Sequence, residues 1–260
     1  MLYDPTVTEA FINSPNPGCD CVDACSDPLV CACLIRSRGR NYDPDANILL
    51  QLQSPQSSFD RPVYHRPIYE CNSWCFCQKD RCRNRMVQNR QHDTTALYAS
   101  DAGAKGRGVF AARRLRQGEF VCVFAGHYMK PRIGEAHELA IEQLENWNHV
   151  YVMVVEEYGL IGDDHPYVTI VNGAHKVTDI RTELPLTSLI NHSCDPNMTI
   201  FPVRVDTTPP LLACFANRAI DAGKELTISY YAKFYRPIRK PDKECHCRSR
   251  KCQHRLPLFV

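Results

Sequence analysis

The sequence predicts a mainly β body with little helix, flanked on both sides by cysteine-built metal sites. Three observations carry this. The 15 cysteines of the 260-residue chain fall in clusters. Short aliphatic and β-branched runs separated by irregular spacers fill the middle of the chain. One stretch alone repeats its apolar residues at helical spacing.

The clusters come first. Cys19, Cys21, Cys25, Cys31 and Cys33 form one group, and Cys71, Cys75, Cys77 and Cys82 a second. Between them, residues 36–62 are rich in Asp, Asn, Ser, Pro and Gln and are expected to form a loop, so the two groups should make one small module folded around metal rather than around an apolar core. The opening, Met1-Leu2-Tyr3-Asp4-Pro5, lacks the basic-then-apolar pattern of a signal peptide, and an intracellular protein is expected. In a reducing compartment clustered cysteines point to metal, not disulfides.

The body follows. Val109-Phe110 and Glu119 to Phe124 read as strands around a turn at Gln117-Gly118. Ile133 to Trp147 places Ile133, Ala136, Leu139, Ala140 and Leu144 on one helical face. His149 to Val155, Val168 to Val171, Leu211 to Phe215 and Leu226 to Tyr230 read as short strands. No βαβ alternation is present, which argues against a doubly wound nucleotide fold. Hydrophobic residues at 44% and charged residues at 23% are ordinary globular values. No apolar run reaches about 18 residues, so no membrane-spanning helix is expected. At the end, Lys233 to Arg255 carries nine Lys/Arg against two acids and encloses Cys245, Cys247 and Cys252.

The cysteine count constrains the metal. Structural zinc takes about four ligands. Nine cysteines in the first two groups close on three zinc ions if three thiolates bridge, whereas two mononuclear sites would strand one. The terminal trio is one ligand short. Cys194 is the first candidate for it, with His246 and His254 as competitors, and Cys122 and Cys214 remain as core residues. The formal charge of +2 would fall to about −3 once nine thiolates hold three Zn²⁺ and four hold one. A mildly acidic body suits a basic peptide and is not the field of a general DNA binder.

The cysteine order, followed by Lys105-Gly106-Arg107-Gly108-Val109-Phe110, then Asn191-His192-Ser193-Cys194-Asp195-Pro196-Asn197, then Glu225-Leu226-Thr227-Ile228-Ser229-Tyr230, resembles the pre-SET, SET and post-SET series of Suv39-like histone-lysine methyltransferases. The resemblance runs from about Pro17 to Leu258. It implies a pre-SET zinc-cluster module over 17–92, a SET catalytic domain of short β-sheets with a knot-like C-terminal segment over 93–232, and a post-SET zinc motif over 241–257. It also implies S-adenosylmethionine as cofactor, four structural zinc ions, a histone tail as substrate with lysine 9 of histone H3 as the family-level choice, and a place on chromatin in the nucleus. Direct nucleic-acid contact through the basic C-terminal segment is allowed but not required.

By the same resemblance Tyr230 is the catalytic tyrosine. Tyr151 lines the lysine channel and touches the cofactor, and Lys105, Gly106, Arg107, Gly108, Asn191 and His192 hold the cofactor. Gly106 and Gly108, lacking Cβ atoms, would let backbone approach it closely. Strand alternation would put Tyr231 on the face opposite Tyr230. Ile228 stands where the family's Phe or Tyr governs how many methyl groups are added. Having no hydroxyl, it implies di- or trimethyl product. The chain departs from the family at Val123-Phe124-Ala125-Gly126-His127, at Ser188 where an arginine is usual, and at Ser229 where an aspartate is usual. These departures motivate a competing expectation, a zinc-stabilised chromatin-binding or scaffold module without catalysis. A zinc-dependent DNA binder would need a recognition helix beside its ligands, and none is apparent.

Overall fold

The computed structural model describes residues 2–3, 7, 9, 13–53, 66–147, 149–157, 167–174, 184–230 and 244–252. Tyr231, His254 and most of the basic segment lie outside them. Twelve strands, numbered in chain order, form three four-stranded sheets among the described residues. Leu211 to Ala216 is buried at every position, the pattern of a strand covered on both faces. It forms β11 of a sheet ordered β2 (Ile68–Tyr69), β10 (Met198–Arg204), β11, β5 (Phe120–Val123). Alternate residues of β11 serve different cores. Leu212 and Cys214 join Val109, Leu226 and Ile228, while Leu211 and Phe215 join Phe120, Phe201 and Leu49. Cys122 and Cys214 are cross-strand neighbours inside the first core.

The second sheet is ordered β1 (Leu2–Tyr3), β6 (His127–Tyr128), β8 (Tyr167–Asn172), β7 (Val152–Glu157), and the third β3 (Leu97–Asp101), β4 (Arg107–Ala111), β12 (Glu225–Ile228), β9 (Asn191–His192). The described helices are α1 (Ala32–Arg36), α2 (Met86–Arg90) and α3 (Ile133–Trp147). The last spans the residues that the periodicity predicts. Its buried row is Ala136, Ala140 and Gln143, and the side chains of Ile133 and Leu144 lie outside the described ones.

The expected strands recur with shifted ends, and two expectations need correction. The strand expected to reach Tyr230 stops at Ile228, because the Tyr230 N–H leaves the ladder and donates to His192 Nδ1 at 3.0 Å. The polar stretch after Arg36 is not a plain loop. Tyr42, Leu49 and Leu52 are buried in the second core, Ile48 bridges Glu119, and residues 50–53 form a 3-10 turn. The cysteine module is therefore anchored on an apolar core shared with the body. Pairing of β2 with β10, Ile68 opposite Val203 and Tyr69 opposite Arg204, makes the same connection through backbone.

Candidate active site and metal centres

The ends of the third sheet bring the C-terminal motifs together. Parallel pairing sets Thr227 opposite Asn191 and Ile228 opposite His192, so Tyr230 emerges beside the imidazole, the rings 5.4 Å apart. The Tyr230 hydroxyl donates to the Ile190 carbonyl at 2.7 Å. Burial pushes its pKa well up, reinforced by Tyr151 and Glu225, and burial raises Tyr151 as well. Both phenols are therefore neutral at physiological pH. Burial, with Lys105 nearby, lowers His192 to about 4. The neutral ring accepts the Tyr230 N–H on Nδ1 and lies 3.3 Å from Cys194 Sγ through Nε2.

On the opposite side of Asn191 a polar cluster forms around Glu225, a residue inside a quoted motif but without an expected role. Its carboxylate accepts from Asn191 Nδ2 at 2.9 Å and pairs with Lys105, while Asn191 Nδ2 also donates to the Arg107 carbonyl at 3.1 Å. The two glycines of this motif have different surroundings. A Cβ on Gly106 would meet nothing within 4 Å, and its φ of +76° favours glycine. A Cβ on Gly108 would stand 2.9 Å from both Asn191 Nδ2 and Glu225 Oε1. Gly106 borders open space, whereas Gly108 admits the Asn191–Glu225 pair. Arg107 is exposed. Ile228 is 1% exposed, with Tyr230 packed against its core.

Tyr151 is held by residues with no motif to announce them. Its N–H donates to Gln143 Oε1 at 2.8 Å, and its carbonyl accepts the Gly173 N–H at 2.9 Å. Ser188, at the position of the family's arginine, donates to the Gly173 carbonyl at 2.8 Å.

Both cysteine assemblies form. In the N-terminal one, Sγ atoms of Cys19, Cys21, Cys25 and Cys31, of Cys19, Cys31, Cys33 and Cys71, and of Cys19, Cys25, Cys71 and Cys77 lie within 4.8 Å of one another. Cys75 joins at 3.6 Å from Cys33, and Cys82 through the Cys25 and Cys71 thiols. Crowding divides the protons: hydrogen bonds from Cys25, Cys33 and Cys71 hold Cys31 far down, while the thiols around Cys71 drive it up. A bound cation would take the place of those shared protons. Donors already point at the sulfurs: Asn72 N–H to Cys75 at 3.1 Å, Arg36 to Cys33 at 3.3 Å and Arg85 to Cys77 at 3.4 Å, the outer partners that a thiolate–metal cluster needs.

At the other end Cys194, Cys245, Cys247 and Cys252 place four Sγ atoms within 4.8 Å. Burial pushes the Cys247 thiol up, but hydrogen bonds from the Cys194 and Ser249 backbone and from the neighbouring thiols bring it down to about 6. Lys251 adds an exposed ion pair to Asp195 at 3.2 Å. Four soft donors at this spacing fit tetrahedral zinc with no open position. The terminal trio thus takes its fourth sulfur from Cys194.

Comparison with known proteins agrees with this geometry. The family model described as SET domain matches residues 106–231, and the Pre-SET motif matches residues 2–85. The histone-lysine N-methyltransferase SETMAR of Mus musculus is 29% identical over 253 residues, covering 93% of this chain and 74% of that protein. The probable histone-lysine N-methyltransferase set-23 of Caenorhabditis elegans is 30% identical over 257 residues, covering 98% and 93%. Among solved structures, the methyltransferase domain of human SETMAR superposes with a TM-score of 0.72 at 26% identity, covering 99% of this chain and 87% of that one.

Proposed function

The chain belongs to the SET-domain family of histone-lysine N-methyltransferases, and from that premise we propose that it methylates a lysine of a histone tail using S-adenosylmethionine, with lysine 9 of histone H3 as the target. The observation that carries the reading is the placement of a half-buried, neutral Tyr230 hydroxyl beside Tyr151 and next to the Asn191-His192 segment.

Open space at Gly106 beside the Lys105–Glu225–Asn191 cluster fits a polar cofactor. Lys105, Gly106, Arg107, Tyr151, Asn191 and His192 would hold S-adenosylmethionine, with Gly108 supporting Asn191 from behind. When bound, the cofactor supplies a sulfonium methyl as electrophile. The chain's task is then to present a neutral amine. A free lysine has a pKa of about 10.4, and an apolar channel disfavours its charged form. Tyr230 donates its own proton to Ile190, so that its oxygen would meet a substrate amine as an acceptor of the amine N–H. The Tyr230 N–H, fixed on His192, keeps that phenol in line, and alignment of this kind supplies much of the acceleration.

The domain division is residues 17–92, 93–232 and 241–257, with three zinc ions in the first unit and one in the last. The same reading places the protein on chromatin in the nucleus. The departures at residues 123–127, Ser188 and Ser229 favour the alternative, a non-catalytic zinc-stabilised module. Labelled S-adenosylmethionine with core histones separates the two: transfer by the wild type, reduced about 100-fold or more in Tyr230→Phe, supports the enzyme. Absence of both transfer and cofactor binding supports the module.

A further inference from the structure

A glutamine in the buried row of an amphipathic helix calls for a physical reason. Gln143 is 2% exposed and follows Ala136 and Ala140, both 0% exposed, on the inner face of α3. An apolar residue would fill that position without needing partners, whereas an amide must satisfy both its oxygen and its nitrogen. Both are satisfied. Oε1 accepts the Tyr151 N–H at 2.8 Å, and Nε2 donates to Asn172 Oδ1 at 3.0 Å.

These bonds are part of a longer path. Asn172 Oδ1 also accepts the Ala174 N–H at 3.0 Å, which shapes the turn after β8. Within that turn Gly173 donates to the Tyr151 carbonyl, so both backbone groups of Tyr151 are fixed, one by α3 and one by the turn. A Cβ on Gly173 would stand 2.7 Å from Ser188 Oγ, 3.0 Å from Phe124 Cζ and 3.2 Å from the Tyr151 carbonyl, so the contact closes only around glycine. Ser188 then ties Gly173 to the 3-10 turn of residues 186–189, directly before Ile190, whose carbonyl holds the Tyr230 hydroxyl. A continuous path of contacts joins Gln143 to the Tyr151 backbone and to the Tyr230 hydroxyl.

We propose that Gln143 is a positioning residue for methyl transfer: by fixing the Tyr151 backbone against α3 it sets the Tyr151 phenol relative to Tyr230, and with it the rate and the product range. This rests on the reading of Tyr151 and Tyr230 as the channel pair. Gln143 itself touches no reacting atom. Its action through Tyr151 differs from simple core filling in one respect: it depends on the acceptor oxygen and not on volume.

Two variants separate these roles. Gln143→Met keeps the length and loses both hydrogen bonds, while Gln143→Glu keeps the acceptor for Tyr151 and loses the donor to Asn172. Steady-state kinetics on a histone H3 tail peptide, product mass spectrometry, cofactor affinity and thermal melts are measured on the zinc-loaded full chain. Gln143→Met should lose at least about tenfold in kcat, hold cofactor affinity within about twofold and shift the ratio of mono- to higher methylation. Gln143→Glu should recover most of kcat. Wild-type kcat and product ratio in Gln143→Met would overturn the proposal, and so would equal impairment of both variants. Should Gln143→Met fail to fold, Gln143→Glu decides alone: more than half of wild-type kcat supports the role, and loss to the Met-like tenfold level contradicts it. A wild type that methylates no histone peptide would defeat the enzymatic reading itself, not the part assigned to Gln143.

Discussion

Ile228 and Tyr230 are separated by one residue and occupy different environments. The aliphatic side chain is sealed in the core, while the phenol, past the end of β12, turns its hydroxyl onto Ile190. If Ile228 bounds the lysine channel, the absence of a hydroxyl there leaves room for a methylated amine, and exhaustive turnover should yield di- or trimethyl-lysine. Ile228→Tyr should shift the product toward monomethyl-lysine, at a stability cost of about 1–3 kcal/mol from overpacking. Product mass spectrometry reads the first effect and thermal melts the second. Monomethyl product alone in the wild type, unchanged in Ile228→Tyr, contradicts the assignment. At this scale the sequence was informative wherever a residue type had a fixed chemistry. Tyr230, Asn191 and the cysteines stood out by motif. Gln143 and Glu225 carried no expected role, and Ser188 stood out only as a departure from the family's arginine, because a glutamine on a helix and an acid before an apolar strand are ordinary until their partners, 8 to 34 residues away in the pairs Gln143–Tyr151 and Asn191–Glu225, are seen.

Elements were legible in proportion to their periodicity. α3 kept the bounds its 3.6-residue repeat implied, and β11 declared itself by an unbroken apolar run. β10 was missed, since Pro202 sits inside it. Proline is tolerated there because β2 pairs only from Val203 onward, leaving Pro202 with no β2 partner. The stretch after Arg36 was misjudged on composition, because a few residues, Tyr42, Leu49 and Leu52, carry its burial. The post-SET segment makes a sharper prediction. Its four sulfurs gather one from just past β9 and three from the C-terminal side, while an exposed ion pair from Lys251 to Asp195 is worth little by itself. Cys252→Ser should therefore remove one zinc per chain and about tenfold or more of activity while the body melts at the wild-type temperature. Zinc analysis, kinetics and melting on one sample check it. An unchanged activity with the zinc lost would show that the terminal site does not support the Asn191–His192 segment through Cys194. Strong chelation, which reaches both cysteine assemblies, should also unfold the N-terminal module.

Across the whole molecule the cysteine module and the β body share one framework, and Arg204 sits at its junction. The guanidinium is 1% exposed and pairs with Glu157 at 2.6 and 2.8 Å. It lies over the rings of Tyr69 from β2 and Tyr167 from β8, at 5.7 and 4.9 Å. Burial pushes the Glu157 carboxyl up against the pull of Arg204, so the pair survives because each partner neutralises the other. Arg204→Met should leave a buried unpaired carboxylate and cost about 3–5 kcal/mol, visible as an early denaturant midpoint. A midpoint matching the wild type would mean that the junction is held elsewhere. The parallel pairing of β12 with β9 and the terminal cysteine quartet meet at His192 beside Tyr230, and the proposed chemistry is transfer of a methyl group to lysine. The measurement that tests it most directly is mass spectrometry of a histone H3 tail peptide incubated with the zinc-loaded protein and trideuteromethyl S-adenosylmethionine. Successive trideuteromethyl additions on lysine 9, abolished by Tyr230→Phe, are the expected result. A peptide of unchanged mass, from protein that binds the cofactor and remains folded, would contradict it.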